Sequence, residues 1–351
     1  MQINLPIDNH TLNLIAEIDE FKGAWLALQK ISPDSLVLMR HVATIASVGS
    51  STRIEGVKLT DSEIETLLSG LSTESFASRD EEEVAGYAKA VNVVFDAHKS
   101  LEFSENYICQ LHQITLQYSV KDARHRGEYK KHPNHVEAFD EQGKSLGIIF
   151  ETASAFDTPF KMRELVEWTQ SALAEKSLHP LLVIAVFVVK FLAIHPFQDG
   201  NGRLSRVLTL LLLLQTGYDY VPYSSIEQLI ENNKEAYYRA LRLTQKTLED
   251  EKPDWSPWIS FFLETLLKQK QRLKSRLEQE QILVKNSLSK REEKIMTILK
   301  ERGQVTIAEL VTLTEINRNT LKSSLKKLDH SKLVKLQGKG RAAFYILGEN
   351  G

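Results

Sequence analysis

The sequence predicts a mainly α-helical protein, with one short β-hairpin inside a helical core and a small separate domain at the C-terminus. Three observations predict this fold class. Apolar residues recur at helical spacing in segments such as Asp80–His98. Capping-box patterns such as Thr60–Glu63 mark helix starts. Between Gly127 and Phe150 the helical period breaks, and two short strands around a turn fit the pattern instead.

The composition is typical of a globular protein with more than one domain. The chain has 351 residues, of which 42% are hydrophobic and 26% charged, so two or three globular domains are expected. A single cysteine, Cys109, excludes a disulfide framework and indicates a reducing, cytoplasmic location. Met1–Pro6 lacks the basic start of a signal peptide, and no apolar run predicts a membrane span. The net charge of −2 gives the whole chain no nucleic-acid signature.

The elements follow in chain order. The first forty residues predict one helix, about Pro33–Ser47, after a mixed stretch that holds Trp25. Further helices are predicted at about Thr60–Leu68, Asp80–His98, from Ser104 onward, and at Asp157–Glu175. The strands are predicted at about Val136–Phe139 and Leu146–Phe150, around a turn at Asp140–Lys144. The basic run Arg124–Lys131 is interpreted as a solvated face.

The segment His195–Arg206 is the strongest candidate for a functional site. It reads His-Pro-Phe-Gln-Asp-Gly-Asn-Gly-Arg-Leu-Ser-Arg and lies between two apolar runs, Leu181–Val189 and Val207–Leu214. Both runs are typical of buried helices. Polar groups held between buried helices are costly, and that cost indicates a site.

The turn has the composition of a phosphate-binding loop. Gly200 and Gly202 let the backbone approach an anion, and Asn201 tolerates unusual backbone angles. The following helix turns its free N–H groups toward the loop. Arg203 and Arg206 lie three positions apart on one helix face, which suits a polyphosphate.

Two further residues of the segment carry chemistry. Asp199 supplies a hard oxygen ligand of the kind that Mg²⁺ prefers beside phosphates. His195 can accept a proton near neutral pH. The plain alternative is a helix–turn–helix connection in which these two side chains cap helix ends.

These residues resemble the Fic family signature, H-x-F-x-[DE]-G-N-G-R-x-x-R, at every fixed position. The resemblance implies a Fic-type helical core that transfers AMP from ATP to a Ser, Thr or Tyr hydroxyl of a protein target, self-modification included. It implies that His195 is the base and Asp199 the Mg²⁺ ligand. It also implies that Gly200–Gly202 forms the anion hole and that Arg203 and Arg206 bind the phosphates.

A second motif precedes the signature. Ser51, Glu55 and Gly56 match the pattern [ST]-x-x-x-E-[GN], which resembles the inhibitory helix of one class of Fic proteins. The resemblance implies that Glu55 pairs with Arg206 and denies that guanidinium to the γ-phosphate. The alternatives are an ordinary glutamate near a helix end, or a residue that positions water for removal of AMP.

Two other segments resemble parts of the same family. The hairpin corresponds to a flap that registers the target segment by main-chain pairing. Asn232 and Tyr237 lie in a segment that resembles the lining of the adenine pocket, although tyrosines at this spacing are also typical of a core.

The C-terminal part differs in charge from the rest. One long helix, about Trp258–Asn286, is followed by Ser287–Gly351, which holds thirteen Lys/Arg and seven Asp/Glu, a net charge of about +6. The elements predicted there are helices at about Ser289–Lys300, Ile307–Leu313 and Asn317–Leu328 and strands at about Leu333–Gln337 and Arg341–Ile346. This order resembles a winged helix-turn-helix.

The third of these helices carries Arg318, Asn319, Lys322, Ser323 and Lys326, which suits DNA binding. A dimerisation or target-docking role fits the same fold, so a homodimer stays open.

The predicted domains are 1–100 with the inhibitory motif, 101–252 as the Fic domain, 253–286 as a linker helix and 287–351 as the winged helix. The first hypothesis is an autoinhibited protein adenylyltransferase. The rival hypothesis is a DNA-binding regulator whose nucleotide site acts as a sensor.

Overall fold

The computed structural model describes residues 3, 5, 7–28, 33–70, 76–139, 145–285, 288–330, 333–338 and 343–348. Within those ranges the chain is mainly helical, with short strands, so the predicted fold class is confirmed. None of the helices in the described part of the chain is both long and apolar enough to cross a membrane.

The helices are α1 (Asn9–Leu28), α2 (Pro33–Ile54), α3 (Asp61–Ser69), α4 (Arg79–Ala97), α5 (Glu105–Thr115), α6 (Thr158–Glu175), α7 (Pro180–Ile194), α8 (Asn201–Gln215), α9 (Ile226–Glu231), α10 (Lys234–Gln245), α11 (Ser256–Lys285), α12 (Lys290–Arg302), α13 (Ile307–Thr314) and α14 (Arg318–His330). The strands are β1 (His135–Phe139), β2 (Ser145–Glu151), β3 (Gln304–Val305), β4 (Val334–Gln337) and β5 (Phe344–Leu347).

The chain divides into two compact units. The first comprises Met1–Gly23 and Thr44–Gln269, and the second comprises Ala24–Ala43 and Lys270–Gly351. The four-part division drawn from the sequence stays a prediction.

Helices α7 and α8 form the centre of the first unit. Almost every side chain of both is buried. Helix α7 is apolar around most of its circumference, whereas α8 starts with buried polar residues and becomes mostly apolar from Val207 onward. Helix α7 starts with Pro180 at its first turn, after His179, whose side chain accepts a hydrogen bond from Leu181 N. Helices α4, α5, α6 and α10 pack around this pair, which places the turn between α7 and α8 inside the unit.

Two predictions near the N-terminus are wrong. The stretch before residue 33 contains helix α1, whose buried Leu14, Ile18 and Phe21 follow a helical spacing. Helix α2 continues to Ile54, beyond the predicted end at Ser47. The small polar residues Gly49–Thr52 are part of this helix, and Thr52 Oγ1 donates to Val48 O at 2.8 Å within it.

The predicted hairpin is present. Strand β1 pairs with β2 in antiparallel register from His135 opposite Glu151 to Phe139 opposite Ser145, with two irregularities along the ladder. The predicted turn, Asp140–Lys144, lies outside the described residues.

In the described part of the chain, the second unit contains α12, α13 and α14 in full, parts of α1, α2 and α11, and a three-stranded antiparallel sheet with strand order β3-β5-β4. The sequence predicts a two-stranded wing and a short extended piece from Val305, and that piece is strand β3, in which Gln304 and Val305 pair with β5. Leu38 and Val42 of α2 belong to the same core cluster as α12, α13 and α14. Part of the predicted hairpin, including Lys339 and Arg341, lies outside the described residues. The winged-helix assignment stays a prediction.

We predict opposite effects for two Gly→Ala changes in helix interiors of the first unit. A Cβ at Gly86 would overlap the backbone carbonyl of Thr115, where α4 crosses α5, whereas a Cβ at Gly23 meets nothing within 4 Å. Gly86→Ala should lower the free energy of unfolding by about 1–3 kcal/mol. Gly23→Ala should raise it by about 0.5–1 kcal/mol. Urea denaturation followed by circular dichroism measures both, and equal effects would contradict the proposed close approach of α4 and α5.

Candidate active site

The turn between α7 and α8 has a tightly defined backbone. Helix α7 ends at His195 with a left-handed φ of 52°, and α8 begins after Gly200, whose φ is 77°. The buried Asn201 holds the turn closed, since its Oδ1 accepts from Phe197 N at 2.9 Å and its Nδ2 donates to Phe197 O at 2.7 Å. The residues with unusual backbone angles are therefore His195 and Gly200, whereas Asn201 locks the loop through its amide.

His112 of α5 packs against the turn and forms a hydrogen bond with its backbone. The fully buried His112 stacks on Phe197 with ring centroids 3.8 Å apart. Its Nδ1 accepts from Gly127 N at 2.8 Å, which puts the ring proton on Nε2, and Nε2 donates to Asp199 O at 2.9 Å. Burial lowers the pKa of His112 to about 4, so the ring stays neutral. Nothing in the sequence around His112 marks it as part of the site.

His195 has the protonation state that a general base needs. Its Nδ1 lies 3.3 Å from Leu192 O and acts as the donor there, which leaves the lone pair on Nε2. Burial lowers the pKa of His195 to about 4, and the nearby charge of Lys130 adds to the decrease. The imidazole is therefore neutral at physiological pH and can accept a proton.

Lys130 ties the hairpin to this turn. The sequence predicts that the basic run Arg124–Lys131 is a solvated face, but the Lys130 side chain is buried. Its Nζ donates hydrogen bonds to Asn134 Oδ1 at 2.7 Å, Thr152 Oγ1 at 2.9 Å and Ile194 O at 3.0 Å. Asn134 precedes β1 and Thr152 follows β2. Asn134 Nδ2 in turn donates to the carbonyls of His195 and Phe197. Both ends of the hairpin are thereby anchored to the backbone around His195.

Asp199 and Arg203 belong to a closed ring of four charges. Arg203 Nη1 lies 2.9 Å from Glu83 Oε2, and Arg203 Nη2 lies 3.4 Å from Asp199 Oδ1. Arg79 completes the ring, with its Nε 2.7 Å from Glu83 Oε1 and its Nη2 3.7 Å from Asp199 Oδ2. Burial raises the pKa of Asp199, but the charge of Arg203 and the bond from Gly200 N lower it by more. Asp199 is therefore a preformed carboxylate.

Arg206 is fixed by the second sequence motif. Its Nη2 lies 2.7 Å from Glu55 Oε1, and its Nε and Nη2 donate to Ser51 Oγ and Ser51 O at 2.7 and 2.9 Å. The Arg206 side chain is 5% exposed and that of Glu55 is 32% exposed, so the pair is only partly screened by water. Burial raises the pKa of Glu55, but the charge and hydrogen bond of Arg206 lower it by more.

The carboxylate of Glu55 lies at the N-terminus of α8. A Cβ added at Gly202 would overlap that carboxylate, so a larger residue there would displace the end of the Glu55 side chain. The segment before Glu55 is held from several sides: Arg53 pairs with Asp61 at 2.9 Å and Glu231 at 2.7 Å, and Lys234 Nζ donates to Ile54 O at 2.7 Å. Glu55 thus occupies the position that the loop composition assigns to an anion.

One cleft brings most of the predicted site residues together. It is lined by Glu55, His195, Asp199, Gly200, Asn201, Gly202, Arg203, Arg206 and Tyr237 and by several neighbours from α10. Asn232 does not line it; this residue follows the last turn of α9 with an exposed side chain. The weak resemblance that suggested Asn232 therefore has no geometric support, and its role stays a prediction.

The donor set at Asp199 fits a magnesium ion only together with phosphates. Among the described residues there is no group of three or more His, Cys, Asp or Glu side chains placed to hold a metal. A single carboxylate beside an anion-binding turn matches the Mg²⁺ mode in which substrate phosphates and water complete the octahedron.

These features define a class of protein. It is helical, and a glycine-rich turn places the N-terminus of a buried helix where it can bind an anion. A sequence profile of the Fic/DOC family matches residues 102–213. The chain therefore contains a Fic domain.

The curated relatives that match this chain include proteins named as adenylyltransferases. A probable protein adenylyltransferase from Aquifex aeolicus is 30% identical over 111 residues, which cover 32% of this chain and 34% of the relative. Protein adenylyltransferase Fic from Drosophila willistoni is 26% identical over 234 residues, which cover 66% of this chain and 43% of the relative. The chain thus matches less than half of the length of these relatives.

Solved structures share the fold. A Fic family protein from Desulfovibrio desulfuricans aligns with 100% of this chain and 99% of its own length, at a TM-score of 0.63 and 21% identity. A Fic domain containing signalling protein from Bacteroides thetaiotaomicron aligns with 73% of this chain and 95% of its own, at a TM-score of 0.59 and 24% identity.

We predict that His195 titrates near pH 4, well below the ordinary 6.5. Because the unfolded chain then binds more protons between these values, His195 contributes stability above pH 6.5 that is lost as the pH falls toward 4. The chemical shift of its Hε1 proton in NMR spectra measures the midpoint.

Lys130→Met should raise the His195 midpoint, because it removes a neighbouring positive charge. Lys131→Met is the matched control, since Lys131 is exposed and pairs with Glu128 at 2.6 Å. A midpoint that stays the same in both variants would show that Lys130 does not act on the imidazole.

Proposed function

We propose that the protein is an adenylyltransferase that transfers AMP from ATP to a hydroxyl side chain of a protein target and that Glu55 holds it in an inhibited state. The observation that carries the proposal is the pair between Arg206 and Glu55 in the cleft that also contains His195. The signature residues would provide binding and chemistry, and the inhibitory motif occupies the phosphate position.

The chemical step needs one proton acceptor. The target hydroxyl oxygen attacks the α-phosphorus of ATP, the bond to the bridging oxygen breaks, and pyrophosphate leaves. The neutral Nε2 of His195 takes the hydroxyl proton as the new bond forms. The hydrogen bonds that fix the turn from Lys130, Asn134 and His112 hold this imidazole in place.

Phosphates would be bound by the start of α8. The N–H groups of Gly200–Gly202 and the positive end of the helix dipole attract the anion. Arg206 Nη1 and Arg203 Nε are buried and have no hydrogen-bond acceptor among the described residues, so phosphate oxygens would satisfy them. Asp199 would hold Mg²⁺, which supplies charge neutralisation at the phosphates. Arg203 stays tied to Glu83, so it orients phosphates from a fixed position.

The inhibition follows from geometry. The fork of Arg206 can pair with Glu55 or with a γ-phosphate, but not fully with both. While Glu55 is in place, a carboxylate also lies beside Gly202 and repels an incoming phosphate. ATP would then bind without a partner for its γ-phosphate, and the α-phosphorus would be misaligned for attack.

We predict that Glu55→Gly raises AMP transfer by roughly ten- to a hundredfold, because a charge-assisted pair contributes about 1.5–3 kcal/mol. Arg206→Ala should suppress that gain, so the two changes should be strongly non-additive. The measurement is incorporation of label from ATP labelled at the α-phosphorus, with Mg²⁺ and with excess chelator.

Two controls keep this experiment decisive. Glu55→Gly combined with His195→Ala should lose transfer, typically by ~10²–10⁴-fold, while retaining nucleotide binding, since the imidazole acts on the hydroxyl. Flat or reduced activity in Glu55→Gly would reject the inhibitory role. If the same variant loses removal of AMP from a modified target, Glu55 serves the reverse reaction instead.

A second function is proposed for the C-terminal unit: DNA binding by a winged helix. Its supporting observation is helix α14, on which Arg318, Asn319, Lys322, Ser323 and Lys326 are all exposed. The apolar face of the same helix, with Leu321, Leu325 and Leu328, is buried in the core of the unit. A cationic exposed face on an anchored helix suits the phosphate backbone and a major groove.

We predict that the full chain binds a DNA duplex with steep salt dependence. The full chain is the right sample, because Leu38 and Val42 contribute to the core of this unit. Changing both Lys322 and Lys326 to Glu should weaken binding and reduce the salt slope by about 1 for each lost phosphate contact. Lys274→Glu, at an exposed position on α11, is the control. Absence of binding to any duplex at low salt would favour a dimerisation or docking role.

A further inference from the structure

A second cavity in the first unit lies farther along α8 than the cleft. Its walls come from α4, α8, α9 and α11, and most of its lining is apolar. It is partly enclosed, and the rings of Phe95 and Phe261 at its wall are partly exposed. The proposed transfer reaction uses no part of it except the shared side chains of Arg206 and Tyr237.

The carboxylate of Glu227 is the unusual feature of this cavity. Glu227 is 7% exposed, and its two oxygens accept only long hydrogen bonds, from Tyr87 at 3.3 Å and from Ser225 at 3.2 Å. Among the described residues, no lysine, arginine or histidine forms an ion pair with it. A buried carboxylate with two neutral donors and no cation is energetically costly.

Arg206 does not balance this charge. It lines the same cavity, but its Nε and Nη2 are engaged by Ser51 and Glu55, and the Glu55 carboxylate already neutralises it. The cavity therefore keeps one excess negative charge, from Glu227.

The rest of the lining suits a cation with an apolar body. Phe95, Trp258, Phe261 and Phe262 present aromatic rings, whose faces attract positive charge. Ser224 also lines the cavity; it is 1% exposed, and its Oγ has no hydrogen-bond partner among the described residues. A ligand N–H group would satisfy both this hydroxyl and the Glu227 carboxylate.

We propose that this cavity is a binding site for a small organic ammonium ion, whose charged nitrogen pairs with Glu227 and whose apolar body packs among Phe95, Trp258, Phe261 and Phe262. Arg206 and Tyr237 line both this cavity and the nucleotide cleft, but the proposal rests on Glu227 and the aromatic rings and not on the transfer reaction. The site would select protonated amines over neutral molecules of the same shape. The selectivity comes from the buried Glu227 carboxylate, the Ser224 hydroxyl and the aromatic walls.

The test compares three probes of nearly equal shape: phenethylammonium, 2-phenylethanol and phenylacetate. Isothermal titration calorimetry with the full chain should show saturable binding of phenethylammonium at least tenfold tighter than binding of 2-phenylethanol. Phenylacetate should not bind. Glu227→Gln keeps the side-chain shape but removes the charge, so it should abolish the preference for the amine. The exposed Glu235 provides the control variant, Glu235→Gln, in which the preference should persist.

A second readout separates a ligand site from a structural role. Without ligand, Glu227→Gln should melt at the same or a higher temperature, because it removes an unpaired buried charge; a carboxylate needed for folding would lower it. Phe261→Ala should weaken amine binding without changing the order of the three probes. Equal affinity for the amine and the alcohol, no saturable binding, or a preference that survives Glu227→Gln would each overturn the proposal.

Discussion

The pairing of Arg206 is the constraint on which the rest of the site depends. A guanidinium with only 5% of its side chain exposed needs acceptors in its immediate surroundings. Ser51 and Glu55 provide these acceptors. Their contacts with Arg206 hold the end of α2 against α8 and place the Glu55 carboxylate beside the first turn of α8. The contacts of Arg53 and Lys234 then hold that end of α2 in place. One buried cation thus organises a helix end, a loop and a cleft.

The signature turn could be predicted from the sequence because its chemistry is local. His195, Asp199 and the glycines lie within a few positions of one another, and their spacing fixes which groups share a helix face. The fold class followed equally directly from apolar periodicity. Helix α1 was missed. Helix α2 was predicted to end at Ser47 because Gly49, Ser50 and Ser51 have low helix propensity, which tertiary packing overrides in the folded chain.

The supporting residues could not be predicted, because their partners are distant in sequence. Lys130 and Ile194 are 64 positions apart, and nothing in a basic run marks which lysine is buried. Glu83 sits in an acidic helix start that is ordinarily explained by the helix dipole, yet it is the partner of Arg203. Ion pairs between residues distant in sequence produce no periodic sequence pattern, whereas burial of one helix face produces a repeat of apolar residues.

The fixed tautomer of His112 has a consequence for spectroscopy. Its two ring nitrogens are held in different states, Nδ1 as an acceptor from Gly127 and Nε2 as a donor to Asp199 O. Nitrogen-15 chemical shifts distinguish a protonated from an unprotonated imidazole nitrogen. The nitrogen-15 shifts of a labelled His112 ring therefore report whether the turn after α7 is intact. The measurement needs neither a ligand nor an activity assay.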